Sequence, residues 1–166
     1  MALTTVNDAG LTSPVYVLAT EIDLTSANTI TGIPSGTNWV EVMVRDMSTG
    51  GTEDMGIQLG TSSGIVTSGY SNATAMVAPS TVVEGHTDGF RFTVTTGAAA
   101  TFQGIIHLRR MSGNTWVMTA QLADTANNQV HFGGGKVSLS GELTQIKIDP
   151  DGNTFDDGDA NIAYGE

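Results

Sequence analysis

Between residues 39 and 46 the chain alternates. Val40, Val42 and Val44 fall on one side of an extended backbone, and Glu41, Met43 and Arg45 fall on the other. A period of two with β-branched residues predicts a strand. Short β-prone runs recur at residues 55–59, 65–70, 90–94, 102–111, 115–122, 129–132, 136–140, 143–148 and 160–164. The breaks between them have turn composition: Thr49-Gly50-Gly51, Ser62-Ser63-Gly64, Ser112-Gly113-Asn114 and Gly133-Gly134-Gly135. The clearest unit is a long antiparallel hairpin turning at Ser112-Gly113-Asn114. Phe102, Gly104, Ile106 and Leu108 share a face on its first arm, and Trp116, Met118, Ala120 and Leu122 form a matching apolar face on the second.

No segment carries a long apolar stripe with a period near 3.6. The predicted fold is therefore all-β: an antiparallel β-sandwich or jelly roll of about eight to ten strands. Residues 1–20 are polar and broken by Gly10 and Pro14 before the apolar patch Val15-Tyr16-Val17-Leu18, and they read as an N-terminal arm or edge strand. Residues 21–166 form the sandwich domain. No internal repeat of fixed period is present.

Composition sharpens this picture. Of 166 residues, 21 are Gly, 24 Thr and 12 Ser, a bias toward turns and β-compatible side chains, while only 14% are charged. Six Lys and Arg against 17 Asp and Glu leave a net charge of −11, which argues against a nucleic-acid partner. Six of the acids, Asp149, Asp151, Asp156, Asp157, Asp159 and Glu166, fall in residues 149–166, which hold no Lys or Arg. The absence of cysteine removes disulfides, thiolate metal sites and cysteine nucleophiles. No apolar run reaches the roughly 18 residues of a membrane span, and the N-terminus lacks a signal-peptide layout, so the chain reads as soluble and made in a cytoplasm.

Candidate chemistry is sparse. Gly60-Thr61-Ser62-Ser63-Gly64 matches the nucleophile-elbow pattern, but that device needs a helix after the serine, and the β-prone Ile65-Val66-Thr67 follows. A hairpin turn is the preferred reading. His86, His107 and His131 do not stand at metal-ligand spacing and read as strand histidines. Asp149-Pro150-Asp151-Gly152-Asn153 begins like an EF-hand loop, yet Thr154 and Ala160 occupy the places of its glycine and its final glutamate. Two readings stay open: a turn with an acidic cap, or a non-EF Ca²⁺ site formed from Asp149, Asp151, Asn153, Asp156, Asp157 and Asp159. No pair of carboxylates stands out as glycosidase machinery. Arg109 and Arg110 point to opposite faces and make no basic patch. Tyr16, Trp39, Tyr70, Trp116 and Tyr164 read first as packing residues and second as a sugar-stacking platform. Asn72-Ala73-Thr74 fits a glycosylation sequon, to which the missing secretory signal gives no weight. No catalytic residue and no cofactor follow from these patterns.

Several segments together resemble a family of small β-rich virion proteins and tail-fibre domains of bacteriophages, of the head-decoration and aquatic-phage fibre type. They are Thr31-Gly32-Ile33-Pro34-Ser35-Gly36-Thr37, the strand at 39–44, Ile57-Gln58-Leu59-Gly60, Gly69-Tyr70, Asn114-Thr115-Trp116-Val117, Lys136-Val137-Ser138-Leu139-Ser140 and residues 154–164. The resemblance spans about residues 28–165, and the leader at 1–14 is similar to the start of fibre-type proteins. It implies an externally displayed virion component, often a homotrimer, partnered by the major capsid protein or by tail proteins and carrying no active-site residues. The lack of a long shaft favours a capsid decoration (cement) role at the virion surface. The alternative is a tail-fibre or spike component that binds host-surface glycan. Under this reading residues 1–20 could augment the sheet edge of a neighbouring protein.

Overall fold

The computed structural model describes residues 16–52, 54–94 and 97–166. Most of the arm expected at residues 1–20 therefore lies outside the described residues. In chain order the strands are β1 (Val17–Leu18), β2 (Ile22–Asp23), β3 (Thr29–Thr31), β4 (Trp39–Thr49), β5 (Gly56–Thr61), β6 (Gly64–Ile65) and β7 (Ser71–Val77). They continue as β8 (Val82–His86), β9 (Phe90–Arg91), β10 (Phe102–Ser112), β11 (Thr115–Asp124), β12 (Gln129–Ser138), β13 (Gln145–Asp149) and β14 (Phe155–Gly165). Four of these are two-residue strands, and the described residues contain no helix.

All pairings are antiparallel and fall into two packed sheets. The long sheet runs β1-β14-β4-β10-β11-β12-β7-β8 with β2 also on β14, and the short one runs β3-β13-β5-β6 with β9 also on β5. This is the all-β sandwich that the alternation predicts. The hairpin β10–β11 pairs in the expected register, with Gly104 opposite Leu122, Ile106 opposite Ala120 and Leu108 opposite Met118. Inward residues of β4, β10 and β11, among them Val40, Val42, Ile106, Leu108 and Trp116, pack over Ile57, Leu59, Ile146 and Ile148 of the short sheet in one continuous buried core. After Val44 the inward phase of β4 slips by one residue to Met47, because Asp46 takes a positive φ of 50° in a bulge. Gly158 faces that bulge from β14, where a Cβ would lie 2.6 Å from the Met47 Cα.

Two local expectations are corrected, and one strand was not expected. Gly133-Gly134-Gly135 is not a turn: residues 129–132 and 136–138 belong to the single strand β12, which runs through the glycines. The reason is close approach of backbone. A Cβ on Gly133 would come within 3.1 Å of the Arg91 carbonyl oxygen, and one on Gly135 within 2.5 Å of the Ser71 carbonyl oxygen. The run at 65–70 gives only the last residue of the short β6, and the strand that follows is β7, whose Asn and Ala residues weaken the β signal. The edge strand β8 likewise carries no strong pattern, and its apolar Val83 points outward with 67% of its surface exposed.

At Gly104 the backbones of β10 and β11 leave no room for a side chain, since a Cβ there would sit 2.3 Å from the Gln121 carbonyl oxygen and 2.9 Å from the Leu122 Cα. Gly104→Ala is accordingly expected to lower unfolding free energy by about 1–3 kcal/mol in urea titration. An unchanged midpoint and slope would show that the two strands separate at no cost.

Candidate functional site

The described residues that gather most polar chemistry surround Arg91. Its neighbours Phe90 and Phe92 are fully buried, so folding the run at 90–94 draws an arginine inside with them, where it is only 2% exposed. A buried guanidinium needs both charge and hydrogen-bond partners. Here one terminal nitrogen meets Asp149 Oδ2 at 2.8 Å and donates to the Asp54 carbonyl at 3.0 Å. The other meets Asp151 Oδ1 at 2.8 Å and the carboxylate of Asp88. The backbone of Arg91 is held as well: its N–H donates to Asn72 Oδ1 at 3.0 Å and its carbonyl accepts from the Thr74 hydroxyl. Asn72 and Thr74, the two ends of the sequon, thus face inward from β7 and join it to β9.

Burial alone would lower the Arg91 pKa and raise that of Asp88. At Arg91 the combined effect of Asp88, Asp149 and Asp151 overcomes burial and holds it above its ordinary value, and at Asp88 the opposing contributions, led by the hydrogen bond and charge of Arg91, hold it below its own.

Of the six residues of the sequence-derived cation site, Asp149 and Asp151 join this cluster, and the six are not brought into one shell. Asp149 and Asp151 face Arg91, and Asp149 also accepts from Lys147 at 2.8 Å. Asp159 pairs with Arg45 at 2.8 Å. Asp157 accepts from the N–H of Gly158 at 2.8 Å, Asp156 is exposed, and Asn153 carries a buried Nδ2 donor without a partner. Among the described residues no three of these acids bring ligand atoms within 4.8 Å of one another. The turn chemistry is visible in the geometry. Asp151 and Gly152 both take positive φ, 53° and 89°, and the Asn153 N–H closes the turn onto the Pro150 carbonyl at 3.2 Å.

The histidines occupy three separate environments. His107 is on the outer face of β10, 3.3 Å from Glu41. His131 is completely buried, edge-on to Phe102 with ring centres 5.1 Å apart, and its Nδ1 accepts from the Val94 N–H at 3.3 Å. Burial pushes its pKa below the ordinary 6.5, with Asp124 pulling weakly the other way. His86 stands beside Asp54 and Glu84, a grouping with ligand atoms within 4.8 Å of one another. Sequence reasoning missed both this trio and Arg91. The available signals were Glu84-Gly85-His86, two chemistry-bearing residues on one strand face, and an arginine inside an apolar run.

Ser62 lies in the two-residue turn of the β5–β6 hairpin, with a strand after it. Tyr70 and Trp116 are core residues. The Tyr70 hydroxyl accepts from the Leu59 N–H at 2.7 Å and donates to the Val66 carbonyl at 3.0 Å, and burial pushes its pKa up to about 12. Tyr16 and Trp39 pair at the surface with centroids 5.8 Å apart, and the Arg109 guanidinium lies 5.5 Å from the centre of the Trp39 ring.

The outer face of the long sheet is nearly free of charge along its middle. Register places Met43, Ile105, Gln121, Phe132, Ala75 and Val83 in one row across β4, β10, β11, β12, β7 and β8. Ile105 is 40% and Phe132 43% exposed, and a recess of about 400 Å³ at Ile105 is lined also by Gln103, His107, Gln121, Ala123 and Val130. Among the described residues no helix is long and apolar enough to cross a membrane. No protein family, curated protein or solved structure matches the chain.

Two outcomes follow. Arg91→Leu strands Asp151 without its countercharge, leaves the buried Asp149 with Lys147 alone and should cost about 3–5 kcal/mol of stability, while Arg91→Lys, which lacks the planar fork, recovers only part of it. Equal chemical denaturation curves for all three proteins would refute this. For His131, the unfolded chain takes up a proton near pH 6.5 and the folded chain resists it, so its contribution is intact above that value and declines as pH falls below it. Melting temperature should drop between about pH 6.5 and pH 5, less steeply in His131→Asn, with parallel slopes as the contrary result.

Proposed function

We propose that this chain is a structural, non-enzymatic protein of a bacteriophage virion, a decoration protein seated on the outside of the head. The observation that carries the reading is the outer face of the long sheet. Six strands present a continuous row with no charged side chain, in a chain whose net charge is −11. Exposed apolar patches of this kind mark protein contacts, and interface centres are depleted in charge and enriched in aromatics such as Phe132. The proposed partner is the major capsid protein, contacted by this face. The exposed Asp156 and Asp157 would stay solvated and keep neighbouring particles mutually repulsive. A homotrimer on the lattice belongs to the same proposal and is taken from the resemblance to phage virion proteins, as is the virion location itself. The reading requires no cofactor.

A second reading, a tail-fibre or spike module that binds host glycan, is favoured by one observation. The Tyr16–Trp39 pair is accessible, with Tyr16 57% exposed, whereas Trp116 is only 1% exposed. Any fluorescence change on adding host polysaccharide would then come from Trp39.

Immunogold electron microscopy of the phage that encodes the chain should place label over the head. Label confined to the tail tip would favour the second reading, and unlabelled particles would end both. The double variant Ile105→Glu with Phe132→Glu changes only exposed positions and should remain folded while failing to join particles. Normal incorporation would remove the sheet face from the proposal.

A further inference from the structure

The trio at the free edge of the long sheet has a different chemistry from the acidic turn. β8 is the outermost strand, and its alternate residues Glu84 and His86 turn to the same, inner side. Asp54 reaches that side from the connection between β4 and β5, which precedes a strand of the short sheet. The His86 Nε2 atom lies 3.9 Å from Asp54 Oδ2 and 3.9 Å from Glu84 Oε2. Neither distance is a hydrogen bond, since an imidazolium bonded to a carboxylate stands about 2.7–2.9 Å away. Nε2 is nevertheless shut off from solvent and has no hydrogen-bond partner. An orphaned ring nitrogen aimed between two carboxylates is an arrangement that a bound cation would satisfy.

We propose that Asp54, Glu84 and His86 form a binding site for a divalent first-row transition metal, with zinc as the preferred ion. Zinc holds nitrogen and carboxylate oxygen at about 2.0–2.2 Å, so tetrahedral donors stand about 3.3–3.6 Å apart, and the 3.9 Å separations would close by a few tenths of an ångström around the ion. The imidazole nitrogen disfavours calcium and magnesium, which take oxygen ligands. For the same donors the Irving–Williams order places zinc above manganese, with copper(II) the competing ion above it. Three protein ligands leave a coordination position for water.

The surroundings are prepared for an ion. Arg91 donates to the Asp54 carbonyl at 3.0 Å and so fixes the backbone that carries one ligand. Its own positive charge is matched by Asp88, Asp149 and Asp151. The bound metal would fasten the edge strand β8 of one sheet to the connection entering the other, a structural staple that is independent of what the outer face contacts.

The test is titration of the metal-stripped full chain with zinc chloride by calorimetry, with melting curves taken with zinc and with chelator. The expected result is one ion per chain and a melting temperature raised by zinc and restored by chelator. His86→Ala and Glu84→Gln should each weaken binding at least about tenfold, while His107→Ala on the outer face leaves it unchanged. Circular dichroism establishes that each variant is folded, and Glu84→Gln carries the test if His86→Ala does not fold. Absence of zinc binding by the parent chain would overturn the proposal. So would undiminished binding by both ligand variants, or tighter binding of calcium than of zinc.

Discussion

A single buried positive charge sets the terms on which the two sheets meet. β9 is only two residues long, yet Arg91 on it is hydrogen-bonded through its backbone to the side chains of β7 and through its guanidinium to carboxylates from the β8–β9 turn, the end of β13 and the turn after it. Hydrophobic burial brings the sheets together but is non-directional and does not fix one sheet against the other. The planar fork of Arg91 has fixed directions, and its partners come from three separate stretches of chain, at Asp54, Asp88 and residues 149–151. The acidic turn at 149–153 therefore has a structural occupation, even though its composition also suggests cation chemistry.

Glycine has a second, less visible part in the same seam. The Arg91 carbonyl fits beside β12 because Gly133 has no side chain, and Gly56 gives the Arg91 side chain and the Phe90 carbonyl similar room from β5. A composition rich in glycine suggests turns, and at Gly113 and Gly152, both with positive φ, that is the use made of it. Inside β5, β10 and β12 glycine instead lets backbones pass within distances that any Cβ would forbid.

That dual use explains what could be read from the chain and what could not. Alternation over β4 and the β10–β11 hairpin was legible because Val, Ile, Leu, Met and Trp occupy the inward positions and polar groups most of the outward ones. At Gly133-Gly134-Gly135 identical residues could mean a turn or a crowded strand, and only partners distant in sequence, Arg91 across the core and Ser71 on β7, distinguish them. β7 and β8 were obscure for another reason: their inward positions carry Asn72, Thr74, Glu84 and His86, whose partners lie far away in sequence. Of the candidate site, the acids of residues 149–159 were evident as composition, whereas the countercharges Arg91 and Arg45 came from distant strands and only Lys147 lay nearby, on β13 itself. The Asp54–Glu84–His86 grouping spans a loop and an edge strand, so no spacing rule along the chain would join all three.

The pairing of β1 with β14 carries a consequence of its own. Val17 stands opposite Tyr164 and Leu18 opposite Ala163, antiparallel, so the incoming and outgoing chain lie side by side at one border of the long sheet, with β8 at the opposite border. A short linker between residue 166 and residue 16 would close the backbone into a ring with little distortion, and new ends could then be opened at the exposed Ser112-Gly113 hairpin tip. A peptide joined at residue 166 would leave from that corner, with β4, β10, β11, β12 and β7 between the β1–β14 pair and β8. The sandwich is in this sense a one-handled scaffold, able to carry a foreign segment at its β1–β14 corner while the remaining border and both sheet faces keep their native surface.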